Sequence, residues 1–194
     1  MGVILKLCHW WMIALWVVMM VYWAIAALFV KRGGDRSALR RGMRMRLLLF
    51  VVIIATMVFL RRSSSFHALQ WAVFQSVPLA VTGAAFVTVG AALAFTARAA
   101  IGRNWGSPAV RKSDTELVTS GPYKVIRHPI YSGLLLMMTG TSIGLSPAWW
   151  FVVILASLYF LRSARSEEEF MTERFPEAYP AYRGRTKMLV PFLI

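Results

Sequence analysis

Long apolar segments without charged residues are the feature that most constrains how this chain can fold. About 20 apolar residues cross a bilayer as a helix, since lipid offers no water to satisfy an exposed backbone. Hydropathy divides the 194 residues into five apolar segments, of which the second, fourth and fifth are shorter than this: residues 7–30, 47–60, 74–97, 130–145 and 148–161. The sequence therefore predicts an all-α integral membrane protein with about five transmembrane helices, forming a single domain of residues 1–194.

Prolines mark the boundaries of the later helices. Pro78 is expected to start or kink the third helix, because proline lacks an N–H and suits the first helical turn. Pro147 lies in a short stretch between the last two apolar segments and predicts a tight turn there. We expect these two segments to form a C-terminal helical hairpin, followed by a folded cytoplasmic tail.

The basic residues are distributed unevenly between the apolar segments. Of 22 Lys and Arg residues, 19 fall within residues 31–46, within residues 98–129 or from residue 162 onward. By the positive-inside rule these regions face the cytoplasm, which leaves the N-terminus outside. A net charge of +14 would suggest nucleic acid in a soluble protein. Here the basic regions alternate with apolar segments, which favours anionic lipid headgroups as their binding partner. The pattern indicates neither nucleic acid nor a protein partner.

A cluster of charged and aromatic residues, GPYKVIRHPIYSG, occupies residues 121–133 just before an apolar segment. Gly121 and Pro122 predict a turn, and Pro129 suits the first position of the following helix. Arg127 and His128 would then lie at a helix N-terminus, where free N–H groups favour an anion such as a ligand carboxylate. The alternative is that both residues only anchor the helix at the headgroup level.

Acidic residues are scarce and concentrated after the last apolar segment. Five of the eight Asp and Glu residues fall within residues 167–177, beginning with Glu167, Glu168 and Glu169. They indicate either a solvated amphipathic helix or a site for the cationic part of a ligand. Together with the basic helix start, the second interpretation predicts a ligand that carries both a carboxylate and cationic groups.

Two stretches, LVTSGPYKVIRHPIYSG and EEEFMTERFPEAYPAYRGRTKMLVP, resemble the isoprenylcysteine carboxyl methyltransferase family and the related phospholipid methyltransferases. The resemblance covers about residues 83–194. It implies an integral membrane enzyme that uses S-adenosyl-L-methionine, with the cofactor enclosed by residues 102–194. The glycine-rich turn of soluble methyltransferases is missing from the sequence, which agrees with an all-helical cofactor site.

The resemblance also implies which residues contact the cofactor. His128 and Tyr131 belong to the family's RHPxY element, and Gly133 would allow a close approach. Counting back from Phe175 selects two glutamates as the family's acidic pair, although Pro176 stands where relatives usually have glycine. The candidate cofactor contacts are Val118, Gly121, Tyr123, His128, Tyr131, Gly133, Glu167 and Glu168.

The family's parent reaction methylates the carboxyl group of a prenylated cysteine. This group, with an unperturbed pKa of about 3.5, is ionised at neutral pH and needs no general base. The enzyme must position it and exclude water. Arg127 and Arg183 are the candidates for orienting this carboxylate, and the lipophilic acceptor would come from the bilayer.

Three other functions fit the sequence. The acceptor could be a phospholipid or another amphiphile, the protein could be an NADPH-dependent reductase of the sterol reductase type, or it could be a non-enzymatic lipid-binding scaffold. No metal site is predicted, because no spaced group of His, Cys and carboxylate residues occurs and Cys8 is the only cysteine. His9 and His67 are expected to be packing or interface residues.

Overall fold

The computed structural model describes residues 2–28, 76–102, 116–147 and 149–189. In these ranges the regular structure is helical, apart from one isolated bridge between Ile126 and Lys187. The α-helices are α1 (Gly2–Leu28), α2 (Val77–Ile101), α3 (Pro129–Gly144), α4 (Trp149–Arg174) and α5 (Ala178–Arg185), and a 3-10 turn covers Gly121–Lys124. The predicted all-α class is confirmed for the described residues, whereas the predicted span 47–60 and His67 lie outside them.

Helices α1 and α2 are long and apolar enough to cross a membrane. The two candidate spans, Gly2–Ala26 and Val77–Ile101, contain 25 residues each and have mean hydropathies of 1.8 and 1.9. Leu7, Trp10 and Val17 on α1 are among many large apolar side chains that the described structure leaves exposed. A helix that is apolar on all faces is the form expected in lipid. The number of spans, their exact boundaries and the orientation of the termini stay predictions.

Helices α2 and α3 pack backbone to backbone through glycine. A Cβ atom added at Gly90 would lie 2.6 Å from the carbonyl oxygen of Gly133, and one added at Gly83 would lie 2.5 Å from that of Gly140. Small residues drive helix association in lipid because they let backbones approach closely. We call these four residues the glycine interface. It fixes the axis of α3, and with it the end of α3 that begins at Pro129.

Polar contacts join α1 to the C-terminal half of α3. A ring nitrogen of His9 lies 3.0 Å from the carbonyl oxygen of Gly144, and the indole N–H of Trp16 donates to the Thr141 hydroxyl at 3.1 Å. Hydrogen bonds between helices contribute about 0.6 kcal/mol on average in a membrane. The prediction that His9 is a packing or interface residue is confirmed.

Arg98 links the opposite end of α1 to α2. Its buried guanidinium donates to the carbonyl oxygen of Gly102 at 2.6 Å and to that of Ala26 at 3.3 Å. Both carbonyls lie near the C-terminal end of a helix, where backbone acceptors lack intrahelical partners and a cation is favoured. Arg98 therefore holds two helix ends together.

The hairpin predicted from Pro129 and Pro147 is present as α3 and α4. Pro129 is the first residue of α3, and the N–H of Trp150 donates to the carbonyl oxygen of Pro147 at 3.0 Å in the turn. Helix α4 does not end with the predicted apolar segment at residue 161, because it continues to Arg174. The start of α3 and the C-terminal part of α4 consequently lie side by side.

Candidate functional site

The two charged stretches that the sequence singled out meet where α3 begins. Nε of Arg127 lies 2.7 Å from Oε1 of Glu168, and Nδ1 of His128 lies 3.4 Å from Oε2 of Glu167. Nε2 of His128 is 3.4 Å from Oε1 of Glu168. We call Arg127, His128, Glu167 and Glu168 the charge cluster. Glu169, the third glutamate of the run, is exposed.

Arg127 and Glu168 form a buried ion pair, with only 8% and 5% of their side chains exposed. Burial alone raises the pKa of Glu168, but hydrogen bonds and charges from His128 and Arg127 outweigh it and hold this pKa below its ordinary value. Glu168 is therefore ionised at neutral pH. Removing one partner of such a pair leaves an uncompensated buried charge, which typically costs about 3–5 kcal/mol.

His128 is buried between the two glutamates. Burial alone lowers the pKa of His128, but the nearby carboxylates of Glu167 and Glu168 outweigh it, so this pKa is raised above 6.5. Nε2 is within ion-pair distance of Glu168, yet it has no aligned hydrogen bond to any described residue. The ring thus keeps one buried nitrogen available for a further polar contact.

An aromatic stack supports this histidine. The rings of His128 and Tyr131 are nearly parallel, with centroids 5.6 Å apart, and the rings of Tyr131 and Phe160 stack at 4.7 Å. The Tyr131 hydroxyl donates to Oε1 of Glu167. Stacked aromatic pairs contribute about 0.5–1.5 kcal/mol beyond their buried area. The stack therefore fixes the orientation of both His128 and Glu167.

The tail after α5 covers the start of α3. The N–H groups of Arg127 and His128 donate to the carbonyl oxygens of Lys187 and Met188 at 2.8 and 3.0 Å. The hydroxyl of Ser132 donates to the next carbonyl oxygen, that of Leu189. The N–H groups of Arg127 and His128 are thus not available to an anion, and an anion site at the helix start stays a prediction.

Arg127 and Arg183, the two arginines predicted to orient an acceptor, differ in their surroundings. The buried guanidinium of Arg127 bonds to Glu168 and to the carbonyl oxygens of Arg183 and Thr186. The side chain of Arg183 is 59% exposed, and its Nε lies 3.5 Å from Oε2 of Glu168. The described residues give the terminal nitrogens of Arg183 no ion-pair or hydrogen-bond partner. Arg183 is thus the arginine that is open to a ligand.

The remaining candidate residues lie around the charge cluster rather than in it. Tyr123 is buried, and its carbonyl oxygen accepts a 2.7 Å hydrogen bond from the hydroxyl of Tyr182. Gly121 adopts a left-handed φ of 60° in the preceding turn, and Val118 packs against the cluster that contains Tyr123. Gly133 lies in the glycine interface, where helix packing accounts for its missing side chain. Cofactor contacts by these residues stay predictions.

Sequence reasoning did not identify Phe160, Ser132 and Tyr182. Phe160 could have been found, because it precedes Glu167 by seven residues, or two helical turns, and so shares a helix face with it. Ser132 and Tyr182 bond to backbone carbonyls that are 57 and 59 residues away in sequence. No local sequence pattern marks such contacts.

The described residues form a helical bundle with a charge cluster at the start of α3. In this respect the chain is similar to a class of membrane-embedded helical proteins. The family model described as phospholipid methyltransferase matches residues 79–178, just over half of the chain. The chain belongs to this family, and the resemblance inferred from the sequence is confirmed.

The curated relatives include protein-S-isoprenylcysteine O-methyltransferase B of Arabidopsis thaliana, which is 34% identical over 86 residues, covering 43% of each chain. The cobalt-zinc-cadmium resistance protein CzcN of Cupriavidus metallidurans is 38% identical over 99 residues, covering 49% of this chain and 45% of that protein. This chain spans about half the length of the curated relatives it matches.

The fold is similar to a solved structure of a eukaryotic intramembrane Ras methyltransferase, isoprenylcysteine carboxyl methyltransferase. The TM-score is 0.55 at 24% sequence identity, and the match covers 75% of this chain and 53% of the other. This likeness confirms the predicted class of all-α integral membrane fold.

Proposed function

We propose that this chain is a membrane methyltransferase that uses S-adenosyl-L-methionine and methylates the carboxylate of a lipophilic acceptor. The observation that carries the proposal is the charge cluster, in which two glutamates meet the RHPxY element of a phospholipid methyltransferase family member. A sulfonium and an ammonium group need carboxylates, and an amino acid carboxylate needs a cation or polar donors. The glutamates of the cluster offer the carboxylates, and His128 offers the polar donor.

The residues of the cluster suit this cofactor in different ways. The side chain of Glu167 is 28% exposed, compared with 5% for Glu168, so we assign the contact with the cofactor's cationic groups to Glu167. Nε2 of His128 is a second polar contact, because it lacks an aligned hydrogen bond. Glu168 holds Arg127 and Arg183 in place. When bound, the cofactor supplies a methyl group on a positively charged sulfur.

The acceptor proposed here is a carboxylate, as in the protein-S-isoprenylcysteine O-methyltransferases among the relatives. The exposed guanidinium of Arg183 suits a carboxylate, which it can bind with two parallel hydrogen bonds. An ionised carboxylate needs no base, so the site has only to orient it and exclude water. The apolar part of the acceptor would lie among the lipid-facing helices.

Methylation of a phospholipid amine is the second candidate, in keeping with the name of the matching family. An ammonium acceptor must first lose a proton to a base. The described site has His128 as its imidazole, but the raised pKa of His128 favours the protonated form, which cannot accept a further proton. This observation favours the carboxylate acceptor.

We also propose that the chain crosses the membrane several times, with the charge cluster and C-terminus in the cytoplasm and the basic loops against anionic lipid headgroups. Single cysteines at Ser37 and Ser64 in a Cys8→Ser background test the orientation by labelling of intact cells or sealed vesicles. The proposal expects Ser37→Cys to react only from the cytoplasmic side and Ser64→Cys only from the other. Labelling of both from one side would contradict it.

Methyl transfer tests the activity directly. Protein in lipid nanodiscs is incubated with tritiated S-adenosyl-L-methionine and either N-acetyl-S-farnesyl-L-cysteine or phosphatidylethanolamine. The proposal expects labelling of farnesylcysteine as a base-labile ester, and none of its methyl ester, which lacks the free carboxylate. Labelling of phosphatidylethanolamine alone would select the second acceptor. Binding of NADPH without binding of S-adenosylhomocysteine would contradict the proposal as a whole.

A further inference from the structure

One buried guanidinium, that of Arg127, connects three parts of the molecule. Arg127 lies two residues before the start of α3, its Nε bonds to Glu168 on α4, and its Nη1 bonds to the carbonyl oxygens of Arg183 and Thr186 at the end of α5. These carbonyls belong to the last turn and the C-cap of α5. A cation is favoured at such a helix end, so Arg127 caps α5 from outside.

Arg183 depends on the same contacts. Its backbone carbonyl oxygen accepts a 3.2 Å hydrogen bond from Nη1 of Arg127. Its side chain is 3.5 Å from Oε2 of Glu168, while Oε1 of the same carboxylate is bound to Arg127. Arg127 therefore fixes both the backbone of Arg183 and the carboxylate beside its guanidinium.

We propose that Arg127 is a positioning residue that acts through Arg183, and that it sets the affinity for the acceptor carboxylate without contacting the acceptor. This inference rests on the proposed function, and it assigns separate roles to the two arginines. Arg127 is only 8% exposed and its Nε and Nη1 donate to protein acceptors, whereas Arg183 is 59% exposed. A lysine could replace the charge of Arg127, but its compact ammonium cannot reproduce the planar fork that binds two directions at once.

The experiment is a double-mutant cycle with Arg127→Lys, Arg183→Gln and the double variant. For each, the KM for N-acetyl-S-farnesyl-L-cysteine, the affinity for S-adenosylhomocysteine and the thermal midpoint are measured in nanodiscs. We expect each single substitution to raise the KM about tenfold or more, with the affinity for S-adenosylhomocysteine changed less than threefold. The double variant should match Arg183→Gln, because residues that act as a unit are not additive.

Arg185→Lys is the matched control. Arg185 is exposed on the same helix, and its guanidinium contacts only the ring of Tyr182 among described residues, at 5.9 Å from the centroid. The KM of the Arg185→Lys variant should stay within about twofold of the wild-type value. An equal rise in KM for Arg185→Lys would show that the whole helix is sensitive to substitution, and it would overturn a specific role for Arg127.

Two further results would overturn the inference: additive effects of Arg127→Lys and Arg183→Gln on KM, or loss of S-adenosylhomocysteine binding in step with the rise in KM. If Arg127→Lys does not fold, the double variant Arg127→Gln and Glu168→Gln replaces it, because it removes both charges of the buried pair. An unchanged KM in this double variant would also overturn the inference. Failure of the proposed function is distinguishable, since the wild type itself would then bind no S-adenosylhomocysteine and methylate no acceptor.

Discussion

Two regions that adjoin helix α3 (Pro129–Gly144) are held together in opposite ways. In the glycine interface, Gly90 and Gly133 bring two backbones into direct contact by having no side chains. In the charge cluster, the long side chains of Arg127 and Glu168 form a buried ion pair that bridges separate elements. Adding atoms should therefore destabilise the first region, and removing a charge should destabilise the second.

The largest effect is expected from Gly90→Val. A Cβ atom at Gly90 would lie 2.6 Å from the backbone oxygen of Gly133 and 2.8 Å from the backbone nitrogen of Met137. Overpacking costs about 1–3 kcal/mol where side chains can shift. Here backbones must separate, so we expect the cost to exceed a typical stability margin of about 5 kcal/mol and to abolish folded protein. Fluorescence-detected size exclusion after detergent extraction measures this.

Gly184→Ala is the control for that substitution. Gly184 lies in α5 (Ala178–Arg185), and no heavy atom is within 4 Å of a Cβ atom placed there. Alanine is favoured over glycine inside a helix by about 0.5–1 kcal/mol, so the thermal midpoint should stay or rise slightly. Normal extraction of Gly90→Val would show that α2 and α3 do not pack in the described way.

Next in size is the effect of Glu168→Gln. The substitution leaves Arg127 buried without its counter-charge, so we expect a loss of about 3–5 kcal/mol in the free energy of unfolding. Glu169→Gln changes an exposed neighbour on the same helix and should cost no more than about 1 kcal/mol. Thermal midpoints of both variants in nanodiscs check this, and equal midpoints would contradict a buried pair at residue 168.

These two regions also show how far sequence reasoning reaches. Pro129 and Pro147 mark the hairpin locally, and the apolar segments mark the helices, so the fold class followed from hydropathy and turn chemistry. The pairing of Gly83 with Gly140 is a contact across 57 residues and leaves no periodic signal in a helix that is apolar on all faces. The register of the glycine interface therefore required the structure.

The candidate site was predictable in part for a similar reason. The scarcity of acidic residues singled out the run from Glu167 to Glu169, because burying a charge is costly unless it has a role. The resemblance to the family then selected His128, Glu167 and Glu168. The N–H groups of Arg127 and His128 are not available to an anion, since the carbonyls of Lys187 and Met188 accept from them. Every residue has a backbone carbonyl, so no sequence pattern could indicate which carbonyls act as acceptors here.

A smaller effect is expected from pH. The pKa of His128 is raised in the folded protein, so its contribution to stability is fully present below the unfolded value of 6.5 and is lost as the pH rises through the folded pKa. The pKa of Glu168 is lowered, so its contribution is present above 4.5 and lost as the pH falls through the folded value. The thermal midpoint should therefore decrease as the pH rises above 6.5.

His128→Gln separates this effect from other titrations. The groups that face His128 are Arg127 before α3, Tyr131 on α3, and Glu167 and Glu168 on α4. Only the imidazole is removed, so the thermal midpoint of His128→Gln should depend less on pH between 6.5 and 9 than that of the wild type. Parallel curves for the two proteins would assign the pH dependence to another group.

The most direct test of the account is calorimetric titration of S-adenosylhomocysteine into the wild type, Glu167→Gln and Glu169→Gln in lipid nanodiscs. If the charge cluster holds the cofactor, Glu167→Gln should lower the affinity about thirtyfold or more, the typical effect of losing one partner of a buried charged contact. Its thermal midpoint should stay close to that of the wild type, because Glu168 still pairs with Arg127. Unchanged affinity in Glu167→Gln, or an equal loss in Glu169→Gln, would contradict a cofactor site at the charge cluster.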